Sequence, residues 1–206
     1  MDLSECTGPV VTGVAPTFVR FVQAMTSTLE RAQGDEARIL HEGTPLVTEL
    51  IGRDDWLPDH LAVPLPGAYG QYLLYRDPAD RFTAVAFVWD ASSRTPIHDH
   101  TVWGIIGVLR GAETAERFVC RDGRLVSLGE STLVAGQIDR VSPRIGDIHQ
   151  VRNALPDRVS ISIHVYGADL PKVERHSYCS KTGRIDPIYS KPYDNARPLL
   201  DALPVL

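Results

Sequence analysis

The sequence predicts a mainly β protein, a sandwich or small barrel of short strands that follows an N-terminal helical segment. From Tyr69 onward, short runs of β-branched and aromatic residues are separated by turns rich in glycine, proline and aspartate, as in sandwiches and small barrels. Before residue 60, apolar residues recur every three or four positions, which is typical of amphipathic helices. The 206 residues are 43% hydrophobic and 23% charged, which suits one domain with a packed core.

Two helices are expected between residues 15 and 60. The first has Thr17 as its candidate N-cap, and its periodic apolar residues are Phe18, Val19, Phe21, Val22, Met25 and Leu29. The second covers residues 37–51 and is interrupted by Gly43 and Pro45; its apolar residues are Ile39, Leu40, Leu46, Val47, Leu50 and Ile51.

The chain is expected to form a single domain over residues 1–206. Residues 1–66 are mainly helical, residues 67–170 form the β-barrel, and residues 171–206 form an irregular C-terminal wrap rich in proline, tyrosine and charge. The predicted strands cover residues 71–75, 82–89, 103–109, 113–119, 124–128, 131–134, 147–151 and 159–166.

Net charge argues against several classes of partner, and cysteine content indicates the cellular compartment. The formal net charge of −5 argues against nucleic acid or an anionic membrane as the main partner. No apolar run is long enough to span a bilayer, and the N-terminus lacks the pattern of a secretion signal. Cys6, Cys120 and Cys179 are odd in number and widely spaced, so we expect free thiols in a reducing cytoplasm.

Two histidines separated by one residue are the strongest chemical signal in the chain. His98 and His100 lie on one face if this segment is a strand, so both imidazoles can bind one ion. His149 follows about fifty residues later in its own glycine-flanked strand. A lone buried histidine is usually a hydrogen-bonded core residue, but three together predict a metal site of the kind that zinc, iron, copper or nickel accepts.

A second constellation lies on the predicted strand over residues 159–166. The strand alternates strictly, so that Ser162, His164 and Tyr166 share one face and isoleucine and valine occupy the other. Polar groups inside a small barrel must hydrogen-bond or do chemistry, and a serine–histidine–tyrosine relay does both. The alternative is an exposed amphipathic strand. A serine hydrolase is disfavoured, because the sequence has no Gly-x-Ser-x-Gly elbow.

The two histidine segments resemble the two motifs of the cupin superfamily. In the first, His98 and His100 are followed by three residues and then Gly104, where cupins have a glutamate. The second motif matches at Gly146, His149 and Asn153, with Pro143 one residue early. The resemblance implies a cupin jelly-roll β-barrel with the N-terminal helices packed outside it.

Without the acidic ligand, the site would hold three neutral imidazoles. A metal ion there would keep its full positive charge and open positions, which favours an anionic substrate such as a thiolate. A three-histidine cupin that also carries Ser162, His164 and Tyr166 resembles the thiol dioxygenases of the cysteine dioxygenase family. This resemblance implies Fe(II) bound by the three histidines, with the serine–histidine–tyrosine set as catalytic residues. It also implies a small thiol carboxylate and O2 as partners.

Two departures from the mammalian-type enzymes indicate a bacterial branch. Those enzymes carry a cysteine after the histidine pair that crosslinks to the tyrosine, whereas this chain has Gly104, so we expect no crosslink. Gln71 stands where they have an arginine that binds the substrate carboxylate. This resembles the branch associated with 3-mercaptopropionate, in which a later arginine takes the carboxylate. Arg175 is the candidate here, with a solvated surface arginine as its alternative; Arg76, Arg94 and Arg117 are the next candidates.

Three other interpretations remain open at this level. The substrate could be L-cysteine, whose ammonium group needs a place on the metal or a polar partner. The protein could be a non-catalytic cupin that binds a metal or small ligand, or a zinc or nickel cupin with other chemistry. Trp89 and Trp103 could wall the site or belong to the core.

Overall fold

The computed structural model describes residues 14–201 and residue 203, and Cys6 lies outside these described residues. Two helices, α1 (Pro16–Ala32) and α2 (Glu36–Ile51), precede the strands. The strands are β1 (Tyr69–Arg76), β2 (Thr83–Trp89), β3 (Ile97–His98), β4 (Gly104–Arg110), β5 (Ala112–Arg121), β6 (Arg124–Val134), β7 (Ile138–Val141), β8 (Ile148–Asn153), β9 (Ser160–Tyr166), β10 (Arg175–Tyr178) and β11 (Ile185–Ile188).

The strands form two antiparallel sheets. One has the order β1-β2-β9-β4-β7 and the other β11-β10-β3-β8-β5-β6. Consecutive strands such as β8 and β9 lie in different sheets, as a jelly roll requires. The predicted mainly β, cupin jelly-roll fold with N-terminal helices is therefore confirmed.

The helices pack on the outer face of the five-stranded sheet. Phe18, Met25 and Val47 of the helices share one buried cluster with Ile163 of β9 and Ile105 of β4. A second, smaller cluster lies between the sheets and contains the inward side chains of Phe87, Trp89 and Tyr166. β9 thus turns its apolar face to the helices and its polar face to the barrel interior, as its alternation predicted.

The helix boundaries correct two local expectations. Thr17 is not the N-cap of α1, because the helix begins at Pro16, and Ala15 occupies the cap position without a side-chain hydrogen bond. Proline suits a first helical position, since the amide hydrogen that it lacks would be unpaired there. α2 runs without interruption through Pro45. Gly43 lets α2 approach β4 closely, since a Cβ there would lie 2.9 Å from Ile105 Cδ1.

The strand pattern also differs from the prediction in three places. Residues 124–134 form one bulged strand, β6, because the shift in its pairing with β5 lets it continue past Gly129. The short strands β3 and β7 were not predicted. The C-terminal wrap is not wholly irregular, because β10 pairs with β3 and β11 pairs with β10. None of the helices in the described part of the chain is long and apolar enough to cross a bilayer.

Candidate metal centre and active site

The three predicted histidines meet inside the barrel. His98 of β3 stands directly opposite His149 of β8 in the strand register, and His100 follows β3. Each pair of imidazole rings has a centroid separation of 4.9 Å. One nitrogen from each ring lies within 4.8 Å of the others, and all three residues are buried.

Hydrogen bonds at Nδ1 determine which ring nitrogen of His98 and of His100 is available to a metal ion. His98 Nδ1 lies 3.0 Å from the Pro96 carbonyl oxygen, and His100 Nδ1 lies 3.1 Å from Asp147 Oδ1. Because both partners can only accept, each Nδ1 carries the hydrogen and each Nε2 keeps a free lone pair. His149 Nδ1 is buried with no partner among the described residues.

Burial keeps these imidazoles neutral. It lowers the pKa of His98 to about 4 and the pKa of His100 and His149 well below the ordinary range. Three neutral nitrogen donors converging without a carboxylate suit a transition metal and not Mg²⁺ or Ca²⁺, which take oxygen ligands. The residues present therefore fit a transition metal ion, with His98, His100 and His149 as its ligands.

Gly104 explains structurally why the acidic cupin ligand is absent. A Cβ at this position would lie 2.8 Å from Tyr166 Cδ1, 2.9 Å from Tyr166 Cε1 and 2.9 Å from Val141 Cγ2. The tyrosine ring thus fills the space that a glutamate would use, and it stacks on His100 at a centroid distance of 5.1 Å. Glycine here allows a hydroxyl-bearing side chain beside the histidine cluster.

Asp147 holds the His100 ring in place, and the sequence did not single it out. Its carboxylate accepts hydrogen bonds from the backbone N–H groups of His100 and Thr101 as well as from the His100 ring. Burial raises the pKa of Asp147, while the backbone donors act in the opposite direction. A carboxylate behind a metal-ligating histidine fixes the ring and increases its basicity.

Asp147→Asn is expected to weaken metal binding by about 10- to 100-fold, the usual cost of losing such a partner. An asparagine cannot accept at both oxygens, so one of its present donors loses its acceptor. The measurement is metal affinity by competition with a chelator. The matched control is Asp157→Asn, at an exposed aspartate. Equal affinity of Asp147→Asn and wild type would contradict the orienting role.

Ser162, His164 and Tyr166 form a continuous hydrogen-bonded chain. Ser162 Oγ lies 2.7 Å from His164 Nε2, and His164 Nδ1 lies 2.7 Å from the Tyr166 hydroxyl. Trp89 Nε1 donates to Ser162 Oγ at 3.0 Å. Burial lowers the pKa of His164 to about 3 and raises the pKa of Tyr166, so the imidazole is neutral and the phenol keeps its proton.

The histidine cluster and the tyrosine line one cavity of about 280 Å³. Gln71 lines it from β1 and Arg175 from β10. Arg175 is 6% exposed, which excludes the solvated surface arginine as its description. Of the four candidate arginines, only Arg175 reaches this cavity. Arg94 is exposed, Arg76 pairs with Asp169, and Arg117 pairs with Asp139.

The structure places further residues at the cavity that the sequence did not single out. Phe87 and Leu170 supply apolar wall, and Tyr69, Tyr189, Ser190 and Lys191 also line it. Trp89 lines the cavity, while Trp103 belongs to the core between helices and sheet. Tyr189, Ser190 and Lys191 could not be predicted as cavity residues from their local sequence. Their position depends on the pairing of β10 with β3 and of β11 with β10.

Fold and site together define a jelly-roll protein with a candidate three-histidine metal centre. No protein-family model matches the chain. Solved structures similar to it include an uncharacterized conserved protein with a double-stranded β-helix domain from Klebsiella pneumoniae (17% identity, TM-score 0.42, covering 56% of this chain and 91% of that one). The Cnp3 cupin domain of Schizosaccharomyces pombe is another (11% identity, TM-score 0.39, covering 49% of this chain and 61% of that one). Oxalate oxidase in complex with the substrate analogue glycolate is a third (15% identity, TM-score 0.40, covering 50% of this chain and 53% of that one). Identities of 11–17% transfer no activity to this chain.

Proposed function

We propose that the protein is a non-haem iron(II) thiol dioxygenase. The reaction adds both atoms of O2 to the sulfur of a small thiol carboxylate and gives a sulfinic acid. The observation that supports this most is the convergence, in one small cavity, of three neutral imidazoles, a hydroxyl-terminated relay and a buried arginine. When bound, iron(II) supplies the positive charge that favours the thiolate and the redox chemistry with O2.

Arg175 holds the substrate carboxylate in this proposal. Its Nη1 donates to the Asp99 carbonyl oxygen at 2.8 Å and its Nη2 to Ser190 Oγ at 2.7 Å, which fix the guanidinium plane. Its Nε has no partner among the described residues, and its two hydrogen bonds go to a backbone carbonyl and a hydroxyl, not to a carboxylate. A buried guanidinium without a counterion favours an anion in the cavity. Gln71 lines the same cavity from β1 and helps to orient the substrate.

Tyr166 donates a hydrogen bond at the reacting end of the substrate. Its ring lies against His100, and its hydroxyl ends the chain from Ser162. A neutral phenol positioned by a neutral imidazole can stabilise negative charge that develops on oxygen without reorganising. The apolar wall of Phe87 and Leu170 excludes water and strengthens that interaction.

The lining residues favour 3-mercaptopropionate over L-cysteine. Among the described residues that line the cavity, two are cationic, Arg175 and Lys191, and none is an aspartate or glutamate. An ammonium group would have no carboxylate to pair with on this wall, so burying it would cost free energy. We therefore propose the thiol carboxylate without an amine as the preferred substrate, with L-cysteine as the alternative.

An oxygen-uptake screen with iron-loaded protein tests the proposal. Uptake should be fastest with 3-mercaptopropionate and slower with L-cysteine, with one O2 consumed per sulfinate formed. Faster turnover of L-cysteine would make L-cysteine the preferred substrate, and the protein would still be a thiol dioxygenase. If no small thiol is oxidised, the proposed reaction is wrong, and the alternatives are a non-catalytic metal-binding cupin and a zinc or nickel cupin with other chemistry. Elemental analysis of protein isolated without added metal distinguishes iron from zinc or nickel.

Tyr166→Phe is expected to lower kcat by about 10- to 150-fold, because a hydrogen bond to a charged group contributes about 1.5–3 kcal/mol. The phenylalanine keeps the ring stacked on His100, so metal content should not change. Tyr72→Phe is the matched control, because the Tyr72 hydroxyl donates to the Val63 carbonyl oxygen outside the cavity. Wild-type turnover of Tyr166→Phe on every thiol carboxylate would refute the relay.

We further propose that the protein acts in the cytoplasm. Cys120 and Cys179 are free, and Cys120 is exposed. Free exposed thiols persist most readily in a reducing compartment.

A further inference from the structure

Glu113 is a buried acid that the proposed reaction does not use. It lies on β5, is 3% exposed, and its Oε1 has no hydrogen-bond partner in the described part of the chain. Ala115, two residues along the same face of β5, packs in the barrel cluster with Trp89 and Tyr166. Glu113 therefore points into the barrel, where an unpaired carboxylate would be costly.

A junction between the two sheets places Glu113 beside Ser162. The Ser160 hydroxyl of β9 accepts from the Ala112 N–H at 3.0 Å and lies 2.8 Å from both the Ala112 carbonyl oxygen and Asn153 Oδ1. Asn153 is the register partner of Glu113 on β8. These bonds fix β5 against β9 one residue before Glu113 and two residues before Ser162.

The polar neighbours of the Glu113 carboxyl are uncharged: the Ser162 hydroxyl and the Trp89 indole. They only partly offset the effect of burial, which raises the pKa of Glu113 to about 8. No charged group among the described residues is among them. The titratable neighbours along the relay are His164, which is neutral, and Tyr166, which keeps its proton. A carboxyl that is 3% exposed, with an unpartnered Oε1 and no ion pair among the described residues, is favoured in its neutral form, which can donate a hydrogen.

We propose that Glu113 is the fourth member of the relay and sets the direction of its hydrogen bonds. A hydroxyl oxygen has two acceptor positions. Trp89 occupies one on Ser162 Oγ, and the Glu113 acid hydrogen occupies the other. The Ser162 hydrogen must then go to His164 Nε2. His164 consequently carries its hydrogen on Nδ1 and donates it to the Tyr166 oxygen. The Tyr166 hydrogen is left free to point at the substrate.

The opposite protonation state would reverse the chain. An ionised Glu113 could only accept, so the Ser162 hydrogen would turn to it. His164 would then donate from Nε2 to Ser162 and accept from Tyr166 at Nδ1, which would direct the tyrosine hydrogen away from the substrate. Glu113 thus acts as a positioning residue, and the inference deepens the proposed function because it concerns the same relay.

The test reads the tautomer of His164 directly. We would record ¹⁵N NMR spectra of the full-length, histidine-labelled protein after metal removal at pH 7, with the His164→Gln variant to assign the resonances. We expect Nδ1 protonated and Nε2 unprotonated in wild type. The opposite tautomer would overturn the proposal. Infrared difference spectra against Glu113→Gln should show the carbonyl stretch of a protonated acid, and a carboxylate band in its place would also overturn it.

Two matched variants extend the test. Glu113→Gln keeps an N–H donor toward Ser162 and should keep the wild-type tautomer. Glu113→Leu removes the donor and should give a mixture of tautomers, with kcat lowered more than in Glu113→Gln and KM unchanged. An unmixed wild-type tautomer in Glu113→Leu would contradict the role. If Glu113→Leu does not fold, the His164 tautomer and the infrared bands of wild type and Glu113→Gln still show whether the proposal is correct. None of the spectra needs turnover, so failure of thiol oxidation and failure of this inference are distinguishable.

Discussion

His149→Ala should abolish stable metal binding and, with it, thiol oxidation. His149 supplies one of three nitrogen donors, and the described residues offer no carboxylate within the cluster to replace it. The loss should exceed the 10- to 100-fold that follows from losing an outer partner such as Asp147. Metal content after iron loading and dialysis, together with oxygen uptake, measures the effect.

The same variant gives a readout that does not depend on catalysis. An ion that binds the folded state stabilises it, by about 2.7 kcal/mol when its concentration is one hundred times the dissociation constant. Added metal should raise the Tm of wild type and leave that of His149→Ala unchanged. His41→Ala, at an exposed histidine of α2, should respond as wild type does. A metal-dependent shift in His149→Ala equal to that of wild type would mean that the ligands lie elsewhere.

Arg175→Met should lower kcat/KM for 3-mercaptopropionate by about 30- to 5,000-fold. Removing one partner of a buried, hydrogen-bonded charge pair costs about 2–5 kcal/mol, and Arg175 is the only one of the four candidate arginines at the cavity. Most of the loss should lie in KM, because the carboxylate is bound equally in the ground and transition states. Steady-state kinetics with 3-mercaptopropionate measure kcat and KM separately.

Arg175 also links β10 to Asp99 and Ser190, so a structural effect must be separated from a binding effect. An uncharged thiol of similar size, 3-mercaptopropanol, provides the internal control, since its turnover should change little in Arg175→Met. Arg175→Lys should recover part of the loss, because a lysine keeps the charge without the bidentate geometry. If both thiols lose turnover equally, Arg175 supports the fold and does not bind the carboxylate.

Much of the candidate site could be predicted because its signals are local in the chain. The two-residue period of a strand groups Ser162, His164 and Tyr166 on one face of β9. His98 and His100 are close in the chain and both reach the cluster, although β3 ends at His98 and His100 follows it. The observed distances within the relay, 2.7 Å at each link, follow from that period and from burial. Short strands at close spacing indicated a sandwich or small barrel, and the resemblance of the histidine segments to cupin motifs implied the jelly roll.

Other members of the site could not be predicted, because long-range pairing places them. Glu113 belongs to a segment without a motif, and the motif that includes Gly146, His149 and Asn153 gave Asp147 between them no role. Asp147 reaches His100 across 47 positions of the chain. Lys191 lies at the cavity only because the C-terminal segment folds back along β3 and β1. The residue pattern within the C-terminal segment does not predict that Lys191 lies at the cavity.

Local patterns in the chain identify the reactive groups: two histidines one residue apart, a third histidine in a turn-flanked strand, and an alternating polar face on β9. Long-range strand pairing determines which other groups surround them. Strand register brought His149 opposite His98, left room at Gly104 for the Tyr166 ring, and moved Arg175 and Glu113 into the barrel. The physical reason is that side-chain direction is a local property of a strand, whereas strand order and register depend on closing the two sheets around a common interior.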